Sequence, residues 1–310
     1  MTYSGLVKLL GVKNVVDVAW NKKFHLNYKK YPKNLGYIPY SFFPSLINRL
    51  NANYDAVIVA ASKVDCFEKY IEIAPTIDKD IPVIFVDGGD GSRIGSDLTV
   101  YGRPELYEKS QEIRPFDYIF KREYLIDVKH PDNVFPLQIS FNLDRLPSLP
   151  EEKKYDVSFW AVETGDGIRT KALNLLEDKF DCKANGTKRN QKFSRYSRKG
   201  SFYLQELKRC KIVLNFRGGG WDTMRYWEVP AVGSLMITQK PQLNIPNDFE
   251  NGVHVVHCKD DLSDLIELCE YYLANESERE KIAQAGKKHL EMFHTDVKRA
   301  EFILRKAQLL

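Results

Sequence analysis

The chain has 310 residues, 43% of them hydrophobic, and a net charge of +4 drawn from 46 basic and 42 acidic residues. That composition excludes global disorder and a chain-wide nucleic-acid-binding charge, and the length suits two domains of about 150 residues each. No stretch approaches the roughly 20 apolar residues of a membrane span, no signal-cleavage pattern opens the chain, and five cysteines without a C-x-x-C pair suit a reduced, cytoplasmic protein.

In chain order, 15–20 and 54–62 read as strands, and a helix is expected from Val64. IPVIFVDGG (81–89) is a buried strand, and 116–122 and 134–140 are two more. Strands separated by helical stretches predict parallel pairing with helices on both faces. The segment 144–155, with two prolines and no apolar period, reads as an interdomain linker. The alternation then restarts: a strand at 155–162, a helix at 165–180 with Asp166 as its cap, and buried strands on either side of the segment 215–237. A strand at 252–258 and a helix at 260–273 follow, and Ser277 with Glu280 makes a capping box for the next helix. Ala300, Ile303, Leu304 and Ala307 form an apolar stripe on a last helix.

Three constellations carry chemistry. In NFRGGGWDTMRYWE (215–228) a strand leads through Gly218, Gly219 and Gly220 into a helix capped by Asp222 or Thr223. Glycines admit a ligand to backbone N–H groups, and the helix N-terminus favours an anion. Arg225 in the first turn suits a diphosphate, and Glu228, one turn on, suits a vicinal diol such as ribose. The plainer alternative is a glycine-rich turn with a surface Arg225–Glu228 ion pair. In ETGDGIR (163–169), Gly165 and Arg169 place a turn and a cation at another helix start, a second diphosphate contact or an ordinary strand-to-helix turn. In VDGGDGSRIG (86–95), Asp87 and Asp90 stand at the carboxyl end of a buried strand, where ligands of open α/β sheets bind. Either suits a general base, or equally a structural turn; Asp90 is preferred for its glycine neighbours, and His25 is the next candidate.

Other signals are weaker. Gly89, Gly91 and Gly95 miss the dinucleotide fingerprint by one residue, and the D-x-D at Asp78 and Asp80 sits at the wrong end of its strand for a metal site. His254 and His257 point to opposite faces of a strand, which disfavours metal ligation. Basic residues at 183–200 and interleaved aromatics and lysines at 20–43 suit a solvated surface, an acceptor, or a peripheral contact with lipid headgroups.

From Tyr203 to His294 the order R-x-x-E, A-x-G plus strand, D-L helix, Y-Y-L, A-x-A-G and H-T resembles the C-terminal half of GT-B glycosyltransferases, closest to the family 1-like or spore-maturation-type group. The resemblance covers about 200–300. It implies two Rossmann-like parallel-sheet domains facing a cleft: an acceptor side (1–150), a nucleotide-sugar side (151–295) and a last helix (296–310) returning to the first. It also implies a glycosyltransferase using a nucleotide diphosphate sugar, without metal or other cofactor, with Glu228 contacting the ribose hydroxyls. The first glutamate of the retaining E-x7-E pattern would fall on Gly220, so inversion is the default expectation. The acceptor hydroxyl is left open among glycan, lipid-linked, protein and modified-nucleobase carriers. Two rival classes stand beside this reading: an NAD-dependent oxidoreductase or epimerase, and a non-catalytic nucleic-acid or nucleotide-sugar binding protein.

Overall fold

The computed structural model describes residues 2–16, 54–148, 152–163, 167–189 and 200–310. Among them the helices and strands run, in order, α1 (Thr2–Leu10), β1 (Val57–Val59), α2 (Val64–Ile73), β2 (Val83–Asp87), α3 (Ser96–Val100), α4 (Glu105–Ile113), β3 (Tyr118–Lys121), β4 (Val134–Pro136) and β5 (Tyr155–Ser158). Then come α5 (Ile168–Leu176), α6 (Cys182–Asn185), α7 (Gly200–Lys208), β6 (Cys210–Asn215), α8 (Met224–Val232), β7 (Leu235–Thr238), β8 (Val256–His257), α9 (Leu265–Ala274), α10 (Glu276–Phe293) and α11 (Asp296–Lys306).

The strands form two separate parallel sheets of four, ordered β1-β2-β3-β4 and β5-β6-β7-β8, so two α/β units are present rather than one continuous sheet. Parallel strands buried on both faces read as unbroken apolar runs, and β2 shows why. Its Val83 and Phe85 enter a core with Phe67, Leu106 and Phe116, while Ile84 points the other way, to Phe120, Leu137, Ile303 and Ala307. Ile303 lies on α11 and Ala307 is its C-cap, so this helix covers the second face of the first sheet although it follows the second sheet in sequence. The second sheet repeats the division. Val157, Ile212, Leu214 and Ile237 pack with Leu173, Leu265 and Cys269, and Val213 and Met236 pack on the opposite face with Leu204, Tyr226 and Trp227.

Several local expectations are corrected. The strand expected at 15–20 lies outside the described residues from 17 onward. The expected strand 252–258 pairs only over Val256–His257, because Gly252 at φ +74° turns the chain and its N–H closes on the Val255 carbonyl at 2.8 Å. The helix expected to reach residue 180 stops at Leu176, and Asp178 and Phe180 follow with positive φ. Ser277 is already inside α10, so it caps nothing. The buried Arg279 explains the earlier start. It donates to the Tyr272 carbonyl at 3.0 Å and to Glu276 at 2.9 Å, tying the end of α9 to the start of α10.

The return from α10 to α11 is a buried corner. Phe141, at the end of the first domain, exchanges backbone hydrogen bonds with His294 (3.0 Å) and Asp296 (3.1 Å). His294 is fully buried beside Trp227; it bonds the Asn247 carbonyl through Nε2 at 2.7 Å and accepts from Arg299 at Nδ1 at 3.0 Å. A proton on Nδ1 would face a guanidinium in a dry site, and burial with the Arg299 charge pushes the imidazole down to about 2. An unfolded histidine gains its proton near its ordinary value, whereas the folded one stays neutral, so stability is lost as pH falls. Urea melts should lose about 2–3 kcal/mol from this residue between about pH 6.5 and 4.5, and His294→Gln should flatten that slope. An unchanged slope in the variant would show that His294 does not set it.

Candidate active site

The first-domain wall is built on the carboxyl end of β2. Asp87 is paired in register with Lys121 at the end of β3, and both side chains are wholly buried with Oδ2 and Nζ 3.0 Å apart. The remaining acceptor positions of Asp87 are taken by the Ser62 hydroxyl and the N–H groups of Gly89 (3.1 Å) and Gly95 (3.0 Å). Lys121 also donates to the Gly91 carbonyl at 2.6 Å. A carboxylate holding four donors out of water has no free lone pair for an incoming hydroxyl. Asp87 therefore shapes the 88–95 loop, and the geometry gives it no base role. Asp90 stands at the loop crest with its side chain 64% exposed, ion-paired to Arg122.

The second-domain wall begins at the carboxyl ends of β5 and β6. After Asn215 the chain makes a tight turn in which the Gly218 N–H meets the Gly220 carbonyl at 2.9 Å. Thr223, and not Asp222, caps α8: its Oγ1 accepts from the Tyr226 N–H and donates to Asn215 Oδ1 at 2.7 Å. Arg225, in the first turn of α8, donates to the Trp160 carbonyl and lies over the Phe159 ring, with its guanidinium carbon 5.3 Å from the centroid. Arg169, in the first turn of α5, donates to the carbonyls of Arg217 (3.1 Å), Val162 (3.4 Å) and Phe216 (3.4 Å). These neutral acceptors hold the guanidinium without cancelling its charge, and among the described residues it forms no ion pair. Burial, and then the neighbouring Arg225 charge, pull Arg169 down to about 10.

Each glycine of the loop meets a different side chain. A Cβ on Gly218 would lie 2.6 Å from the Arg169 guanidinium, and one on Gly219 would lie 2.9 Å from Asp90 Oδ2. A Cβ on Gly220 would lie 2.5 Å from the Glu123 carboxyl carbon. Asp90 and Glu123 come from the first domain, so the loop is where the two walls of the cleft touch. The Trp221 and Asp222 amides donate to the two oxygens of Glu123, each at 2.9 Å.

Two further expectations change. Asp222 is buried, accepting from the Ile139 N–H at 2.6 Å and from the Trp227 indole at 2.7 Å, and burial pushes its carboxyl up to about 6. It faces the protein interior rather than the cleft. Glu228 does not pair with Arg225; it is buried and takes Arg145 at 2.9 Å. Gly165 and Asp166 lie outside the described residues, as do His25, the aromatic stretch 20–43 and most of the basic run 183–200. Within the described part of that run, Arg189 bonds Glu163 at 2.7 Å. The described residues contain no metal-binding group of three or more His, Cys, Asp or Glu, and no helix long and apolar enough to cross a membrane. All five cysteines are free thiols.

Lys121, Arg122, Glu123 and Arg145 were not singled out by sequence. The first three form a charged triplet closing an apolar strand at its carboxyl end, a signal of the same kind as the aspartates after β2. Arg145 sat in a segment that reads as linker. The contrast between the two aspartates is measurable in denaturation. Asp87→Asn leaves the Lys121 ammonium buried without its counter-charge and should cost about 3–5 kcal/mol. Asp90→Asn, at an exposed crest, should stay within about 0.5 kcal/mol of the parent. Equal effects would remove the distinction drawn here.

Residues 170–305 match the family model described as glycosyl transferase-like. No curated protein sequence matches the chain. Among solved structures, an alpha-glucosyltransferase in complex with UDP and a 13-mer DNA containing an HMU base superposes with a TM-score of 0.57 at 11% identity, over 88% of this chain and 84% of that one. HepE from Anabaena in complex with UDP gives 0.55 at 8% identity over 82% and 79%. Sucrose-phosphate synthase from Thermosynechococcus elongatus gives 0.51 at 11% identity over 90% and 82%. The chain thus has the GT-B fold, and its residues 170–305 match the glycosyl transferase-like family model, in line with the resemblance of residues 200–300.

Proposed function

We propose that the chain transfers a sugar from a nucleotide diphosphate sugar to an acceptor hydroxyl, without a metal and with inversion at the sugar carbon. The observation that carries this reading is Arg169: a half-buried guanidinium, held by three carbonyls, next to a second arginine and a glycine turn at the starts of two helices. A diphosphate complements the positive charge of this arrangement, and helix N-termini add oriented N–H groups. The fold neighbours solved with UDP make UDP the first nucleotide to test.

In the proposed reaction Asp90 takes the proton of the acceptor hydroxyl. The freed oxygen bonds to the sugar carbon as the bond from that carbon to the diphosphate oxygen breaks. Charge building on the leaving diphosphate falls beside Arg169 and Arg225, where it relieves their mutual repulsion. A single displacement of this kind inverts the carbon. Asp87 and Lys121 hold the loop that carries Asp90. Glu228 serves the ribose hydroxyls in this scheme, with Arg145 fixing one of its oxygens.

Calorimetry with UDP tests the donor site. Arg169→Ala should weaken UDP by about 1.5–3 kcal/mol, roughly 10- to 150-fold, since it removes charge-assisted bonds to phosphate. Glu228→Gln is preferable to an alanine because its amide oxygen can still accept from Arg145. It should narrow the difference in affinity between UDP and its 2′-deoxy form. Asp90→Asn should leave UDP affinity unchanged while UDP-glucose turnover falls about 10²–10⁴-fold. Parent-like UDP binding by Arg169→Ala would sink the donor site, and parent-like turnover by Asp90→Asn would sink the base.

A further inference from the structure

We propose that Glu123 is a positioning residue: its carboxylate, from the first domain, clamps the glycine loop of the second and sets the distance between Asp90 and the donor site. The inference rests on the donor-site reading above for its kinetic consequence, but not for its structural content.

Three observations support it. The two oxygens of Glu123 each receive one backbone N–H, from Trp221 and Asp222, both at 2.9 Å. Adjacent amides pointing at one spot form an anion seat, and a buried carboxylate accepting both makes a strong, directional contact. Glu123 is only 2% exposed, so water does not compete well for either partner. Second, Gly220 has no positive φ, so its backbone would accept alanine; yet the three atoms nearest to its missing Cβ all belong to the Glu123 carboxylate. The glycine is there for the glutamate's approach. Third, the clamp directly follows the two functional contacts of the loop. Gly219 abuts Asp90 and Gly218 abuts Arg169, two and three residues before the first clamped amide. Arg122 reinforces it from the first domain, ion-paired to Asp90 with its Nε 3.7 Å from Glu123.

The consequence is a separation of roles. Arg169 and Arg225 hold the donor from α5 and α8; α8 is capped by Thr223, and both helices pack into cores that do not include Glu123. The spacing of Asp90 from that donor runs through the loop. Losing the clamp should therefore reduce turnover far more than donor binding, because a displacement of about 1 Å at the reacting groups can cost about 100-fold in rate.

The test is a double-mutant cycle on the whole chain with Glu123→Ala and Gly220→Ala, read by thermal unfolding, by amide exchange, by UDP calorimetry and by UDP-glucose turnover. Gly220→Ala removes no polar group, so its expected damage comes from displacing Glu123. It should lower Tm by about 2–6 °C in the parent and by less than about 1 °C in the Glu123→Ala background. The Trp221 and Asp222 amides should be protected in the parent and exposed in either single variant. Turnover of both singles should fall about 100-fold, with UDP affinity within about threefold of the parent. Additive Tm shifts, or unprotected amides in the parent, overturn the clamp. A loss of UDP affinity in step with turnover overturns the positioning role and leaves general support. Should the parent bind no UDP, the donor reading fails while the Tm cycle and the amide exchange still decide whether Glu123 clamps the loop.

Discussion

A guanidinium withdrawn from water beside another guanidinium is costly, and the arrangement around Arg169 follows from that cost. Burial and the Arg225 charge both work against the protonated form. Carbonyls at the ends of β5 and β6 recover part of the lost hydration by accepting three hydrogen bonds. They are dipoles, however, and leave the net charge in place. The protein retains this local expense at the carboxyl ends of a parallel sheet, where the chain leaves the strands and turns into helices. An anion is the natural complement of such a site, which is the physical basis of the diphosphate site proposed above.

A site formed between two domains also needs its walls held at a fixed separation. Two devices do this. The first is the exchange across the cleft floor, where Glu123 and the Ile139 N–H from one side meet Trp221 and Asp222 from the other. The second lies behind it. α11 leaves the second domain and packs on the first sheet through Ile303 and Ala307. At the root of α11, Arg299 spans the Gln138 carbonyl, His294 and the Trp227 ring. Trp227 in turn bonds Asp222 through its indole N–H. The cleft floor and the returning helix thus share Trp227, and the second device steadies the first.

The sequence carried the sheets well and the contacts poorly, for reasons visible in single residues. Runs such as IPVIFVD are buried on both faces, so composition alone marks them as interior parallel strands. Thr223 and Asp222 are both good cap residues, and local pattern does not choose between them. The choice was made by Ile139 and Trp227, which take Asp222 inward, and both the approach of Ile139 and the fold around it are tertiary facts. Asp87 and Asp90 present the same difficulty. Both stand at the carboxyl end of one strand, but Asp87 is still within it and lies in register with Lys121, and strand register is not encoded in either strand by itself.

The triple glycine shows the same limit most sharply. Glycines in a strand-to-helix turn indicate that something approaches the backbone closely, and this inference from the missing Cβ is sound. It does not say whether the visitor is a ligand or a side chain of the same protein. Here Gly220 accommodates Glu123, Gly219 accommodates Asp90 and Gly218 accommodates Arg169, so a run that reads as one phosphate cradle is divided among three neighbours. Two of them come from about 100 or more residues earlier in the chain. Only the third, Arg169, is a cation that would meet a bound phosphate directly. On the proposed donor site the glycines act at one remove from the donor: they let the opposing domain's acids come close to the loop that also meets Arg169.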